Sequence, residues 1–358
     1  MNLGVIMGGM STEHNVSIVS GTSIIKNLNK EKYNIFPIYI DLEGRWYKYT
    51  RPLEEIEVLQ VGEEPKELEK IDNEIEYLRK MDVVFPALHG LYGEDGTIQG
   101  LLELLKIKYV GCKVLASSVS MDKVYTKVLF EKAGIPQANY IYIKACNNTY
   151  TFVDKQFNEQ KLELEEISEK VEKQLGYPVF VKPSNSGSSV GINKAKNSEE
   201  LKQAIMYAEK YDTKILIEEE IKGREIECAV LEDEEVKAST VGEILSADEF
   251  YTFDAKYKNQ ASRTVIPAEL EQDKIEETRN MAIKAFKAVD GSGLARVDFF
   301  IKKADNKVYI NEINTMPGFT QISMYPKLWE KCGIQYSDLL DKFCLLYTSP
   351  SPRDSTSS

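Results

Sequence analysis

Two short segments late in the chain hold the residue types that ionic chemistry needs. Ala295-Arg296-Val297-Asp298 reads as one strand and Asn311-Glu312-Ile313-Asn314 as the next. Side chains alternate along a strand, so Asp298 shares a face with Arg296, and Glu312 with Asn314. If the two strands pair, Asp298, Glu312 and Asn314 present three oxygen ligands of the kind Mg²⁺ takes alongside phosphate oxygens. Arg296 beside them can hold developing negative charge. Pro317-Gly318 then turns the chain over the same end of the sheet. A purely structural polar patch is the weaker alternative, because carboxylates among apolar strand residues are costly unless something offsets their desolvation.

Three further segments carry chemistry of a looser kind. In Val181-Lys182-Pro183-Ser184-Asn185-Ser186-Gly187-Ser188-Ser189-Val190-Gly191, a lysine at a strand end precedes a small, hydroxyl-rich loop. Such a loop turns N–H groups toward phosphate and can close as a flap. It lacks the Gly-Lys-Ser/Thr ending of a P-loop, and a solvated hairpin is the bland alternative. His89-Gly90-Leu91-Tyr92-Gly93-Glu94-Asp95-Gly96 and Gly8-Gly9-Met10-Ser11-Thr12-Glu13-His14 both follow apolar runs. They place the only two histidines just beyond strand ends, where α/β sheets bind ligands. Thr12 can cap the helix that follows, and Glu13 can bind an ammonium group. Each segment taken alone also reads as a structural turn. Neither is G-x-G-x-x-G, so a dinucleotide site has weak support.

The elements that must position these residues follow from apolar patterning. Residues 3–7 and 35–40 read as strands flanking a helix that contains Val16 and Val19, with a short strand at 45–49. The stretch 65–80 has helical periodicity, 82–88 is a strand and 97–105 a helix. A second unit runs helix 123–133, strand 140–143, charged helix 162–175, strand 179–182, the serine loop, strand 190–192, helix 199–210 and strand 214–218. A third has antiparallel strands at 225–231 and 236–243, a polar and aromatic loop at 246–264, a helix at 268–289, strands at 294–301 and 307–313, and short helices ending near Leu346. A loop as long as 246–264 inside a compact enzyme is usually functional. Residues 347–358 are Ser/Thr/Pro-rich, with almost nothing to bury, and are expected to be disordered and non-native, like translated adapter sequence joined to an unfinished helix.

Composition sets the outer limits. A chain of 358 residues is too long for one core, so two or three domains are expected. The net charge of −12, from 45 Lys and Arg against 57 Asp and Glu, argues against a nucleic-acid surface. Five scattered cysteines without C-x-x-C spacing point to a reducing compartment. No leader-like start and no apolar run of about 18 residues is present, so a cytoplasmic protein without membrane contact is expected.

In this order and spacing, the serine loop and the two carboxylate strands match the ATP-grasp enzymes. The whole set resembles the D-alanine–D-alanine ligases over residues 1 to about 346. The match includes Glu13-His14, His89 to Gly96, Ser120-Met121-Asp122-Lys123, the serine loop, Lys256-Tyr257, Arg296 to Asp298 and Asn311 to Gly318. The resemblance implies an α/β fold of the ATP-grasp kind. An N-terminal Rossmann-like domain at 1–121 would precede two α+β subdomains at 122–215 and 216–346. It implies ATP, two Mg²⁺ or Mn²⁺ ions, D-alanine as substrate and a homodimer.

Carried over residue by residue, Lys123 and Lys182 would contact ATP phosphates, with Ser189 in the covering loop. Glu218, Glu219 and Ile221 would lie at the adenine and Glu225 at the ribose. Asp298, Glu312 and Asn314 would bind the metal ions. Glu13 would grip the first D-alanine's ammonium, with His89 near its carboxylate. Arg296 and the Gly318 N–H would stabilise the tetrahedral intermediate. Glu13, Ser188 and Tyr257 would form a linking network, Lys256 and Ser323 would address the second D-alanine's carboxylate with Met324 beside them, and 246–264 would be a lid. Asn15 stands where the family often has Glu, and the C-terminus departs after about Phe343. Rival readings are a D-alanine–D-serine or D-alanine–D-lactate ligase, a non-catalytic nucleotide-binding protein, and a dinucleotide oxidoreductase.

Overall fold

The structure is a computed structural model and describes residues 1–245 and 263–346. Three sheets organise it. The first contains β1 (Asn2–Gly8), β2 (Asn34–Ile40), β3 (Trp46–Tyr49), β4 (Leu68–Lys70), β5 (Val83–Pro86) and β6 (Lys108–Tyr109), in the order β4-β3-β2-β1-β5-β6. β1 pairs in parallel with β2 on one side and β5 on the other. The chain therefore leaves the β1 and β5 ends at a topological switch point, and a crevice opens there. Gly8-Gly9 and His89-Gly90 both sit at that opening. β1 is a near-continuous apolar run because helices cover both faces, which is the signature of a parallel core strand.

The second sheet contains β7 (Tyr140–Cys146), β8 (Thr149–Val153), β9 (Glu159–Leu162), β10 (Val179–Pro183), β11 (Asn193–Ala195) and β12 (Lys214–Glu219), ordered β11-β10-β12-β7-β8-β9. The third contains β13 (Gly223–Glu232), β14 (Val236–Leu245), β15 (Arg263–Val265), β16 (Leu294–Lys302) and β17 (Val308–Asn314), ordered β15-β14-β13-β16-β17. Only Glu220 to Lys222 join β12 to β13, so the two sheets meet at a short link.

Several sequence expectations need correction. The stretch 65–80 is not one helix: it holds β4 and a short helix Glu74–Leu78, whose Asn73 cap accepts the Glu76 N–H at 3.0 Å. A charge-dense segment imitates helical periodicity when few apolar residues are available to fix the period. Residues 190–192 form a turn, with Gly191 at φ 78°, and the strand starts at Asn193. Strands β8 and β9 and the helix Val114–Met121 went unread. In β9 only Leu162 is buried, so its edge position leaves no alternation to detect. The expected helix at 162–175 accordingly starts at Leu164. The expected loop 246–264 gives up Arg263 and Thr264 to β15, and its other residues, with Lys256 and Tyr257, lie outside the described residues. The tail 347–358 lies outside them as well.

One core ties the first sheet to the last helices. Leu3, Val5, Met7 and Phe85 pack in a cluster with Phe319, Tyr325, Leu328, Trp329, Leu339 and Phe343. Phe319 lies 5.5 Å from Phe85 and 5.8 Å from Phe343, both edge-to-face. Phe343 is fully buried, on the helix Tyr336–Leu346. Phe343→Ala is therefore expected to destabilise the chain by roughly 3–5 kcal/mol, read as a shift in the urea midpoint at unchanged slope.

Candidate active site

Two cations and an anion meet where β10 and β12 run side by side. Lys182 is opposite Leu216, two residues along from the Phe180–Glu218 pair and so on the same face. Glu218 is 5% exposed. It contacts the Lys182 ammonium, and its other oxygen is 3.0 Å from the Lys127 Nζ. Burial alone would push this carboxyl up, but the Lys127 and Lys182 charges outweigh it and hold it at about 2.

A carboxyl depressed from its ordinary value of 4.5 adds stability that is present above that value and lost as pH falls toward about 2. Acid unfolding of the wild type should contain that component, and Glu218→Gln should lack it. The same variant leaves two buried or nearly buried ammonium groups without their counter-charge. It is expected to cost roughly 3–5 kcal/mol at neutral pH, measured by chemical denaturation.

Lys123 joins this cluster from the first turn of the helix Lys123–Lys132. Asp122 caps that helix, accepting the Val124 and Tyr125 N–H groups at 3.1 Å each. Asp122 also accepts Ser184 Oγ at 2.6 Å and Lys214 Nζ at 2.5 Å. The cap thus bolts the helix start to the end of β10, and so brings Lys123 and Lys182 to one cleft. Desolvation lowers the Lys123 pKa, the Glu312 carboxylate opposes that, and the Lys182 charge adds to it. Ser120, Lys123, Lys127, Lys182, Glu218 and Glu312 line this cleft.

The serine loop folds over the cleft toward the first sheet. Lys123 Nζ donates to the Ser186 carbonyl at 2.5 Å. Ser188 and Ser189 have φ of 49° and 60°, a left-handed pair that non-glycine residues adopt only when their surroundings hold them there. Ser188 Oγ donates to Glu13 Oε1. Glu13 is clasped between glycines: a Cβ on Gly187 would overlap its carboxylate, and one on Gly90 would come within 2.6 Å. Thr12 does not cap the following helix. That helix starts at His14 with Glu13 as its cap residue and no capping side chain. The Glu13 N–H is taken instead by Ser11 Oγ at 3.1 Å, which in turn donates to the His89 carbonyl at 2.7 Å.

β16 and β17 supply the acidic wall. Along β16, Ala295, Val297, Phe299 and Ile301 are buried, and Arg296 and Asp298 face the other way. Asp298 lies opposite Glu312, and Arg296 opposite Asn314. The pairing then slips, so that Phe299 faces Ile310 and Asn311 is left over. That bulge lets Ile310 and Ile313 both enter the core while Glu312 and Asn314 face the cleft. Arg296 donates to both Asp298 oxygens at 2.7 Å, and its Nε is 3.0 Å from Glu227 Oε2. These carboxylates, with Glu312, overcome its burial and raise its pKa well above the ordinary value.

Two family models, one for each end of the same ligase, match this chain. Residues 2–112 match the model of the D-Ala–D-Ala ligase N-terminus, and residues 129–344 that of its C-terminus. The chain belongs to the D-alanine–D-alanine ligase family. It is 50% identical over 363 residues to the D-alanine–D-alanine ligase of Acetivibrio thermocellus, covering 94% of this chain and 93% of that one. Among solved structures it is similar to the VanG D-Ala:D-Ser ligase from Enterococcus faecalis, with a TM-score of 0.82 at 35% identity, covering 97% of this chain and 99% of that one. It is also similar to the D-alanine–D-alanine ligase from Bacillus anthracis complexed with ATP, with a TM-score of 0.73 at 30% identity and 97% coverage of both chains. The fold is therefore the ATP-grasp fold of this family.

The family motifs do not all point into the cleft. His89 donates from Nδ1 to the Met316 carbonyl at 2.9 Å, and Nε2 accepts from Ser20 Oγ at 2.8 Å. Both ring nitrogens are thereby used by the protein, and burial lowers the ring's pKa. His89 thus braces the turn that carries Gly318 and has no ring N–H left for a substrate carboxylate. Ser323 Oγ is engaged by Thr320, accepting its N–H at 3.0 Å. Met324 packs in the core against Gly242 and Leu328. Glu219 accepts the Asn139 backbone and side-chain N–H groups at 2.9 Å each. Ile221 is buried in the link between β12 and β13, and Glu225, the third residue of β13, lies opposite Phe300.

Sequence reasoning missed Lys127, Glu94 and Glu227. Lys127 had a signal, since it lies one helical turn from Lys123. Glu94 is half-buried, accepting the Gly90 N–H at 2.7 Å and the Met316 N–H at 3.1 Å. Its pKa is pushed up to about 8 by burial and by the Glu13 charge, against those two donors. Its contact with Met316 spans 222 residues of sequence, so no local pattern announces it.

Proposed function

We propose that this chain joins two D-alanine molecules into D-alanyl-D-alanine, driven by conversion of ATP to ADP and phosphate. The observation that carries the reading is one cleft lined by Lys123 and Lys182 on one wall and by Glu312 on the other, with the Glu13–Ser188 contact beside it. Cations there match a polyphosphate, and Glu13 matches an amino-acid ammonium. The carboxylate of the first D-alanine attacks the γ-phosphorus, ADP leaves, and an acylphosphate forms. The amine of the second D-alanine then attacks its carbonyl carbon and phosphate departs. Activation is needed because a free carboxylate is a poor acyl donor, and the acylphosphate must be kept from water.

Lys123 and Lys182 would hold the phosphates, Lys182 sharing its three N–H groups between them and Glu218. Lys127 is the other counter-charge of Glu218. Arg296 and the Gly318 N–H would face the oxyanion of the tetrahedral intermediate. Ser189 would sit over the phosphates, and Glu218 to Ile221 with Glu225 along the nucleoside. By resemblance, Tyr257 would complete the network of Glu13 and Ser188, and Lys256, Ser323 and Met324 would lie on the second substrate's side.

The cleft suits a divalent ion. Asp298, Glu312 and Asn314 are hard oxygen donors. Asn314 turns its N–H₂ toward Asp298 at 3.1 Å, which leaves its amide oxygen for a cation. Glu227, Asp298 and Glu312 outnumber the one guanidinium they share. Asp298, Glu312 and Asn314 would hold Mg²⁺ or Mn²⁺, which supplies neutralisation of phosphoryl charge when bound. The division at 121/122, a homodimer and a cytoplasmic setting belong to this reading, whereas one at 215/216 would cut β12 and moves to the link Glu220 to Lys222. No helix among the described residues is long and apolar enough to cross a membrane.

The VanG likeness supports D-serine as the alternative second substrate. The deciding experiment measures ADP release and product mass with D-alanine alone, then with D-serine or D-lactate added. Dipeptide formation from D-alanine alone is expected. Preferential mixed product would establish the alternative, and ATP turnover unaffected by any D-amino acid would overturn both.

A further inference from the structure

Arg296 is held from two strands, by two carboxylates of different standing. Asp298 takes the guanidinium in bidentate fashion, each of its oxygens accepting one N–H. Glu227 lies directly across from Asp298 in the β13–β16 register, its Oε2 3.0 Å from the Arg296 Nε. Glu227 is 7% exposed. Glu227, Asp298 and Glu312 therefore run in one line across β13, β16 and β17. An ion bound by Asp298 draws on the same two oxygens, and its charge repels the guanidinium that now sits on them. Releasing Arg296 from Asp298 with no other carboxylate at hand would strand a buried cation, which is costly.

We propose that Glu227 is a positioning residue that retains Arg296 at the cleft when Asp298 turns to the divalent ion. The inference rests on the assignment of Asp298, Glu312 and Asn314 as the ion's ligands. Glu227 lets the exchange occur: Asp298 passes from guanidinium to ion, and the guanidinium keeps one charged partner on the neighbouring strand. It acts through Arg296 and touches neither substrate nor ion.

The test uses the purified full chain with Glu227→Gln and Glu227→Asp. ATP affinity is measured in EDTA, Mn²⁺ affinity with ATP present by electron paramagnetic resonance, and turnover at saturating substrates. Glu227→Gln is expected to leave ATP affinity in EDTA unchanged and to weaken Mn²⁺ several-fold. It should lower kcat on the order of tenfold, as for loss of a preorganised charge's support. Glu227→Asp, which keeps the carboxylate, should recover most of both losses and guards against a variant that folds poorly. In an Arg296→Lys background the same change should cost at most about twofold more, the mark of residues acting as one unit. Wild-type kcat in Glu227→Gln overturns the proposal, as does an undiminished effect in the Arg296→Lys background. Loss of Mn²⁺ binding as complete as in Asp298→Asn would make Glu227 a ligand, and also overturns it. Wild-type Mn²⁺ affinity in Asp298→Asn would instead overturn the ligand assignment itself, whatever Glu227→Gln shows.

Discussion

Asp298→Asn should lower kcat by about a thousandfold at saturating Mg²⁺, ATP and D-alanine, while the protein still folds. Two losses act together. The ion loses its central carboxylate, which lies opposite Glu312 in the sheet. Arg296 loses its bidentate partner and keeps Glu227. The substitution preserves size and one acceptor oxygen, so the buried cavity is not enlarged, and a small change in melting temperature is expected. ATP binding in EDTA should survive, because the lysines that face the phosphates lie on other elements. Turnover within tenfold of wild type would remove Asp298 from the metal site. Glu312→Gln should show the same pattern in weaker form, since it pairs less directly with Arg296.

Lys182→Met should weaken ATP binding by on the order of a hundredfold, as expected for loss of one charged contact to a phosphate in a dry cleft. Its effect on folding should be smaller than that of Glu218→Gln. After Lys182 is removed, Glu218 still faces Lys127 at 3.0 Å, so no buried charge is left alone. Lys127→Met makes the informative contrast. It should destabilise the fold while leaving Lys182 to be shared between Glu218 and the phosphates, so ATP affinity falls less than stability. Calorimetric titration of ATP beside a denaturation curve separates the two residues. Equal losses of affinity in both variants would show that Lys127 also reaches the nucleotide.

Much of the site could be read from the chain because its chemistry is local in sequence. Arg296 and Asp298 lie two apart on one strand, Lys182 directly precedes the serine loop, and Asp122 caps the helix that starts with Lys123. Alternation and capping are short-range rules, so sequence alone determined the pairing of Arg296 with Asp298 on one face, the order of the motifs, and membership of the α/β class. The same short range explains the failures. The stretch 65–80 splits into a strand and a short helix, β9 offers a single buried residue, and the helix that Thr12 could cap starts only at His14.

Tertiary structure alone decided the rest. Periodicity puts Glu312 and Ile310 on the same face, and only the bulge at Asn311, set by pairing with β16, frees Glu312 for the cleft while Ile310 stays in the core. His89 looked like a ligand for substrate, but Met316 and Ser20, from two distant parts of the chain, claim both of its nitrogens. Glu227 is unremarkable in its own strand and gains its role from the register that sets it beside Arg296. Register, bulges and buried partners depend on which strands and turns meet, and those meetings are fixed by burial of a shared core over hundreds of residues. A window of local sequence contains the residue types that do the chemistry, but not the neighbours that decide which of their atoms are left free.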